Sequence, residues 1–399
     1  MHRPSLGVLF LTVFIDLIGF GMVIPFLSFY AREYHASGVA VGAVVGVYSI
    51  MQFFFAPVWG RMSDRIGRRP VILISLTASC IGYLLFGFGR SLAILFASRV
   101  IAGAGGANIG TAQAYIADIT SPENRAKGMG LIGAAFGMGF ILGPPLSGFL
   151  GEYGSHHGMH GNLLPGVVAA SLSFIAFVIA FVVLAESRPP NAQVRSAVPP
   201  QFDKRIWQSV LSRAILGSII AALFLTLLAV SGMETSVTLH ARDRFHFRQR
   251  EMAMWFLFMG VIVAVIQGGL IGRLSKRLGE RTLVAIGAAA FTIGLAAVPT
   301  IWTSRGLYVV AFFIAVGQGL TYPSLTAMLS KSTSRDEQGS MLGLASGIGS
   351  LARFIGPILT GFLYDLARAR GAFYAGALLT FFAFSIAMAM RRMPVPTEV

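Results

Sequence analysis

Charge is what this sequence has least of. Only 12% of its residues are charged, against about 25% in an ordinary soluble domain. From Ser5 to Tyr30 the one full charge is Asp16, and from Gly38 to Gly60 there is none. Such runs exclude 399 residues folded as two or three water-soluble domains. Cysteine is nearly missing too: Cys80 stands alone and sits in an apolar run, so no internal disulfide is possible. No glycine-rich phosphate loop occurs, which leaves an ion gradient rather than ATP as the driving force for any transport. No constellation of nucleophile, base and metal ligands occurs either, so the chain is not read as an enzyme and no cofactor or metal is expected.

What the chain does have is hydrophobic length. Hydrophobic residues make up 55%, and mean hydropathy is +0.74. Runs of about 18 or more apolar residues mark membrane-spanning helices. Twelve are predicted, at roughly 5–30, 38–60, 71–89, 92–118, 124–150, 163–185, 210–239, 250–273, 281–302, 306–330, 337–366 and 371–390. The first run carries a mid-span acid and no small-residue cleavage site, so it reads as a span, not a removed signal.

The net charge of +15 raises the possibility of nucleic acid, but its distribution points to the bilayer instead. With the N-terminus placed inside, 20 of the 31 basic residues fall in inside segments and nine in outside loops. Basic residues near span ends collect on the cytoplasmic side, so both termini are expected in the cytoplasm and the chain in the cell's inner (plasma) membrane. Arg242, Arg244, Arg248 and Arg250 dissent, clustered in the outside loop after span seven. Three histidines of another outside loop, His156, His157 and His160, read as solvated.

The two halves repeat. Gly143-Pro144 recurs as Gly356-Pro357, and Ile119-Thr120-Ser121 to Gly130-Leu131 recurs as Ser332-Thr333-Ser334 to Gly343-Leu344, both 213 residues on; Gly60-Arg61-Met62-Ser63 recurs as Gly272-Arg273-Leu274-Ser275 at 212. This predicts an all-α membrane protein of two pseudo-symmetric six-helix bundles. The bundles are 1–187 and 210–399, joined by a cytoplasmic linker at 188–209 that holds Pro189, Pro190, Pro199 and Pro200. Halves related in this way are the plan of a rocking secondary transporter, with substrate between them near the midplane.

The loop after span two reads Gly60-Arg-Met-Ser-Asp64-Arg65-Ile-Gly67-Arg68-Arg69. Its glycines allow a tight turn and close helix approach. Asp64 is placed to hold a helix N-terminus or an arginine and so latch a gate, and the basic residues suit anionic headgroups. The loop resembles the signature loop of the major facilitator superfamily. In the second copy Lys276 and Arg277 replace the acid and its neighbour, so a second latch is not expected. Span four carries Arg99-Val-Ile-Ala-Gly103-Ala-Gly105-Gly106, and span five carries Gly133, Gly137, Gly139, Gly143-Pro144 and Gly148. Small residues at this spacing let helices approach closely in lipid.

Together these segments resemble the twelve-span drug:proton antiporters of that superfamily, in which the span-five segment with Gly137, Gly143 and Pro144 is linked with antiport. The likeness is greatest to the tetracycline-efflux antiporters, through Asp16 with Pro25, Ala56-Pro57, and Ile116-Ala117-Asp118-Ile119-Thr120-Ser121. Two departures stand out: Gly82 takes the place of an acid before Tyr83-Leu84-Leu85, and span nine is apolar around Phe291. The acids that hold a metal–tetracycline cation are missing, so the resemblance does not carry tetracycline over.

Four charges lie inside spans: Asp16, Arg99, Glu234 and Arg353. A charge there is expensive and functional by default. Counted at about 1.5 Å per residue, Asp16 and Arg353 lie roughly 20 Å down and Arg99 and Glu234 roughly 10 Å. The depths suggest pairing within tiers, Asp16 with Arg353 above all. Either the pairs lock the packing or one acid exchanges protons, Asp16 ranking first and Glu234 second. Tyr48, Gln52, Asn108, Gln113, Gln318, Thr321 and Tyr322 are the polar candidates to line a cavity. The reading is a monomeric, proton-coupled antiporter that exports small amphipathic organic molecules. The alternative is a carrier of an organic-anion metabolite or lipid, with Arg353 on the anion. A sensor or scaffold would be expected to lack the gating loop or to add a soluble domain.

Overall fold

Helices account for the spans because a backbone in lipid must satisfy its own hydrogen bonds. The computed structural model describes residues 5–188, 200–334 and 337–391, with the backbone alone at 122–127 and at 200. Linker residues 189–199, with Pro189, Pro190 and Pro199, lie outside the described residues; so do Arg3, Arg335 and Arg392.

Ten helices each form one span: Leu6–Glu33, Gly38–Ile66, Arg68–Phe88, Leu92–Ile119, Gly128–His156, Leu163–Val183, Ala214–Phe245, Gln249–Leu278, Glu280–Thr300 and Ser304–Lys331. The longest, Gln338–Arg391, is broken by non-helical Ala367 and Arg368, the latter at φ 52, into 338–366 and 369–391. The expected twelve spans are therefore present. Within span one, Pro25 tightens Ile24–Phe26 into a 3-10 turn because proline has no N–H to donate.

Several boundaries differ from expectation: spans two, five and eight run on to Ile66, His156 and Leu278. Span seven runs on to Phe245 and stops at His246 in the left-handed region, φ 55. Arg242, Asp243 and Arg244 are thus its last turn rather than an outside loop. Basic side chains suit a helix C-terminus, and Arg244 also stacks on Trp302, 5.4 Å from the ring centre. Inside the linker, Lys204–Ser212 forms a short helix with Asp203 accepting from the Arg205 N–H at 2.9 Å. Its Val210, with Ile206 and Trp207, packs on the core that contains Leu216, Ile219 and Leu344.

The chain forms two compact units. The first is Met1–Ala36, Ala43–Ala197 and Phe247–Leu257; the second is Ser37–Gly42, Val198–His246 and Phe258–Val399. In the first, spans one and five meet backbone to backbone, and a Cβ on Gly143 would lie 2.5 Å from the Gly21 carbonyl carbon. In the second, Gly356 meets span seven at Leu228 and Gly232 in the same way. The sequence repeat at Gly143 and Gly356 is thus a repeat of one helix contact.

Candidate functional site

The signature loop turns at Gly67, whose φ of +102 is open to glycine at little cost. Span three starts immediately after it. Arg68 then gathers three partners: Asp64 Oδ1 at 2.5 Å, Asp118 Oδ2 at 3.1 Å and Ser63 Oγ at 2.8 Å. Asp64 therefore holds an arginine, one of its two expected partners. The N-terminus of span three belongs instead to Glu186, which accepts from the Arg68 and Arg69 N–H groups at 2.8 and 3.1 Å. Glu186 gave no signal in the sequence, since it lies 118 residues from Arg68. Arg69 donates to the Phe181 carbonyl, and Arg188 to the Arg65 carbonyl. A Cβ on Gly60 would meet nothing within 4 Å, so that glycine serves no close approach.

In span five the close contacts fall on Gly139, which meets Leu17, and Gly143, which meets Gly21; Gly148 meets Ala253. A Cβ on Gly137 would meet nothing within 4 Å. Pro144 lies inside the continuous helix next to Gly143.

Asp16 points at spans three and six. Ser173 donates to its Oδ1 at 2.7 Å, Ser79 is a second hydrogen-bond partner, and Cys80 is within electrostatic reach. Arg99 is wholly buried. Its guanidinium lies 5.8 Å from the Tyr83 ring centre and 5.6 Å from that of Phe86. Its Nε donates to Ser98 Oγ at 3.3 Å, while Nη1 and Nη2 have no hydrogen-bond partner among the described residues. Two aromatic faces meet part of that charge's need.

In the second unit Glu234 and Arg353 interact electrostatically, and Arg353 also donates to Ser350 Oγ at 3.1 Å. Within the second unit the acid that acts on Arg353 is thus Glu234. Spans seven and eleven meet at Gly232 and Gly356, two residues before Glu234 and three after Arg353.

The polar candidates fall in two places. In the first unit Gln52 donates to Tyr48 Oη at 3.4 Å and to the Gly106 carbonyl at 3.1 Å. Tyr48 packs on Phe20, and Phe20 in turn on Phe140. Asn108 is half-buried and Gln113 exposed. In the second unit Thr321 is buried against Gly287, and Tyr322, the next residue, is exposed. Gln318 Nε2 and Thr321 Oγ1 are buried without hydrogen-bond partners among the described residues. Among those residues, no three His, Cys, Asp or Glu gather as metal ligands would.

The sequence model of the Major Facilitator Superfamily matches residues 9–271 and 251–399. The chain is 31% identical to tetracycline resistance protein class E of Escherichia coli, over 89% of this chain and 87% of that one. It is 30% identical to class G of Vibrio anguillarum over 100% and 99% of the two chains. It is 31% identical to multidrug resistance protein 2 of Bacillus subtilis (strain 168), over 90% and 88%. Its fold is similar to the crystal structure of a bacterial homologue of the human lysosomal transporter Spinster, with TM-score 0.82, 14% identity and 98% of each chain covered. It is also similar to the human organic anion transporter MFSD10, with TM-score 0.71 and 22% identity over 96% of this chain and 100% of that one. With twelve spans, the repeated glycine contact and the signature loop in place, the chain belongs to the major facilitator superfamily.

Proposed function

We propose that this protein is a proton-coupled antiporter that exports small amphipathic organic compounds, with Asp16 as the coupling acid. The observation that carries this reading is the Asp16 carboxylate, set in the middle of an apolar span and held by Ser173 and Ser79. A carboxylate held in place inside a span is suited to take and release a proton. The full-length similarity to proteins named for tetracycline and multidrug resistance supports drug export as the task. The positive-inside bias supports an inner-membrane location with both termini in the cytoplasm, and the protein is read as a monomer. Glu234 beside Arg353 weakens the organic-anion reading, because that cation already acts on an acid. The test is proton release from purified protein across a compound panel, followed by uptake of the responding compounds into everted vesicles. Proton release that saturates with compound, and uptake abolished by collapsing the pH gradient, are expected. Uptake indifferent to the gradient would overturn the coupling.

A further inference from the structure

The loop between spans eight and nine repeats the signature loop with its charges reversed. At an offset of 212, Ser63 corresponds to Ser275, Asp64 to Lys276, Gly67 to Gly279 and Arg68 to Glu280. Asp118, in the last turn of span four, corresponds at 213 to Lys331, the last residue of span ten. The backbone repeats: Gly67 has φ 102 and ψ 163, Gly279 has φ 76 and ψ 152, and each directly precedes the next span. The side-chain bonds repeat as well. Arg68 donates to Ser63 Oγ at 2.8 Å, and Ser275 Oγ donates to Glu280 Oε1 at 2.8 Å. Arg68 donates to Asp118, and Lys331 Nζ donates to Glu280 Oε1. The acid that the repeat would place at 276 stands four residues on, at 280.

The two nodes differ in two respects: among the described residues no ion pair joins Glu280 to Lys276 as Arg68 is joined to Asp64, and the carboxylate at the start of the next span has a different source. A cation cannot cap a helix N-terminus, so in the first unit Glu186 supplies that carboxylate. In the second, Glu280 is itself the first residue of span nine and accepts from its own backbone N–H. An acid there is favoured by the helix dipole. One carboxylate therefore joins spans eight, nine and ten, through Ser275, its own helix and Lys331.

We infer that Glu280 is the pivot of a second latch, of inverted sign. It is a positioning residue that holds the loop between spans eight and nine to the end of span ten as the protein works. The transport consequence rests on the antiporter reading; the pairing rests on the geometry alone.

The test compares Glu280→Lys, Lys331→Glu and the double swap in the full-length protein, by transport of a compound the wild type exports and by thermal unfolding without substrate. Each single change is expected to lower the maximal rate about two- to fivefold, the scale of an exposed ion pair, while KM stays near wild type. The double swap recovers both rate and melting temperature beyond the sum of the singles. Singles that transport at the wild-type rate, or effects that add in both measurements, overturn the latch. A swap that rescues melting but not rate leaves a merely structural pair and overturns the positioning role. If the wild type exports no compound, the antiporter reading fails, and the melting cycle alone decides whether the latch pair exists.

Discussion

Asp16 is the one full charge between Ser5 and Tyr30, and two serines from other spans, Ser173 and Ser79, hold its carboxylate. The second unit shows what is particular to the acid. There Thr380 stands in the place of Ser173, in Thr380-Phe-Phe-Ala-Phe against Ser173-Phe-Ile-Ala-Phe, and accepts from Thr292 at 2.9 Å. Aligning Gly232 with Gly21 puts Leu227 where Asp16 would be. The hydroxyl is common to both units and the carboxylate belongs to one. Asp16→Asn should therefore abolish uphill, proton-driven uptake while compound still binds; a variant that concentrates compound under a pH gradient passes the coupling role to Glu234. In the sequence the charges at Asp16, Glu234 and Arg353 are all conspicuous in apolar runs, but the serines that hold Asp16 and the interaction of Glu234 with Arg353 are set by helix rotation and are not. Glu234 and Arg353 are half-buried and interact electrostatically, and such neighbours couple by about 0.5–3 kcal/mol. Arg353→Ala and Glu234→Gln should each destabilise, and the double variant by less than their sum. Additive losses in thermal unfolding would show that the two charges do not interact.

At the scale of the helix, length and period were readable and azimuth was not. Twelve spans follow from hydropathy, and the missed turn of span seven follows from reading Arg242 and Arg244 as solvated loop when they suit a helix C-terminus. Span five shows the limit more sharply. Its glycines look alike in sequence, yet a Cβ on Gly143 would strike span one and a Cβ on Gly137 would meet nothing within 4 Å. The motif therefore has a packed face and an open one. Gly143→Ala must push the backbones of spans one and five apart, an overpacking cost of about 1–3 kcal/mol or more. It should lower the yield of folded protein and the melting temperature. Gly137→Ala should leave both unchanged, or raise stability slightly by favouring helix. Equal effects of the two substitutions in thermal unfolding would refute this assignment of faces.

Over the whole molecule, the repeat was the most informative signal in the sequence, because offsets of 212 and 213 recur in segments far apart. It led to two six-helix halves and to the shared contact at Gly143 and Gly356. It misled only where equivalent positions were assumed to keep their sign. Each charged node closes among residues of its own unit, Asp64, Arg68 and Asp118 in one and Glu280 with Lys331 in the other. If the nodes are self-contained, the sign within either should be free to reverse as a set. Lys276→Asp, Glu280→Arg and Lys331→Asp together write the first unit's charges into the second. The triple variant should transport at a rate near wild type, whereas Glu280→Arg alone, set against Lys331, should not. Its melting temperature should still fall. An arginine at the start of span nine cannot replace the lost cap. The loss of a favourable charge at a helix N-terminus is about 0.3–1 kcal/mol, so the deficit should be small and should shrink in high salt. A triple variant as inactive as Glu280→Arg alone would show that the inverted sign of the second node is itself required, and that the nodes do not work independently.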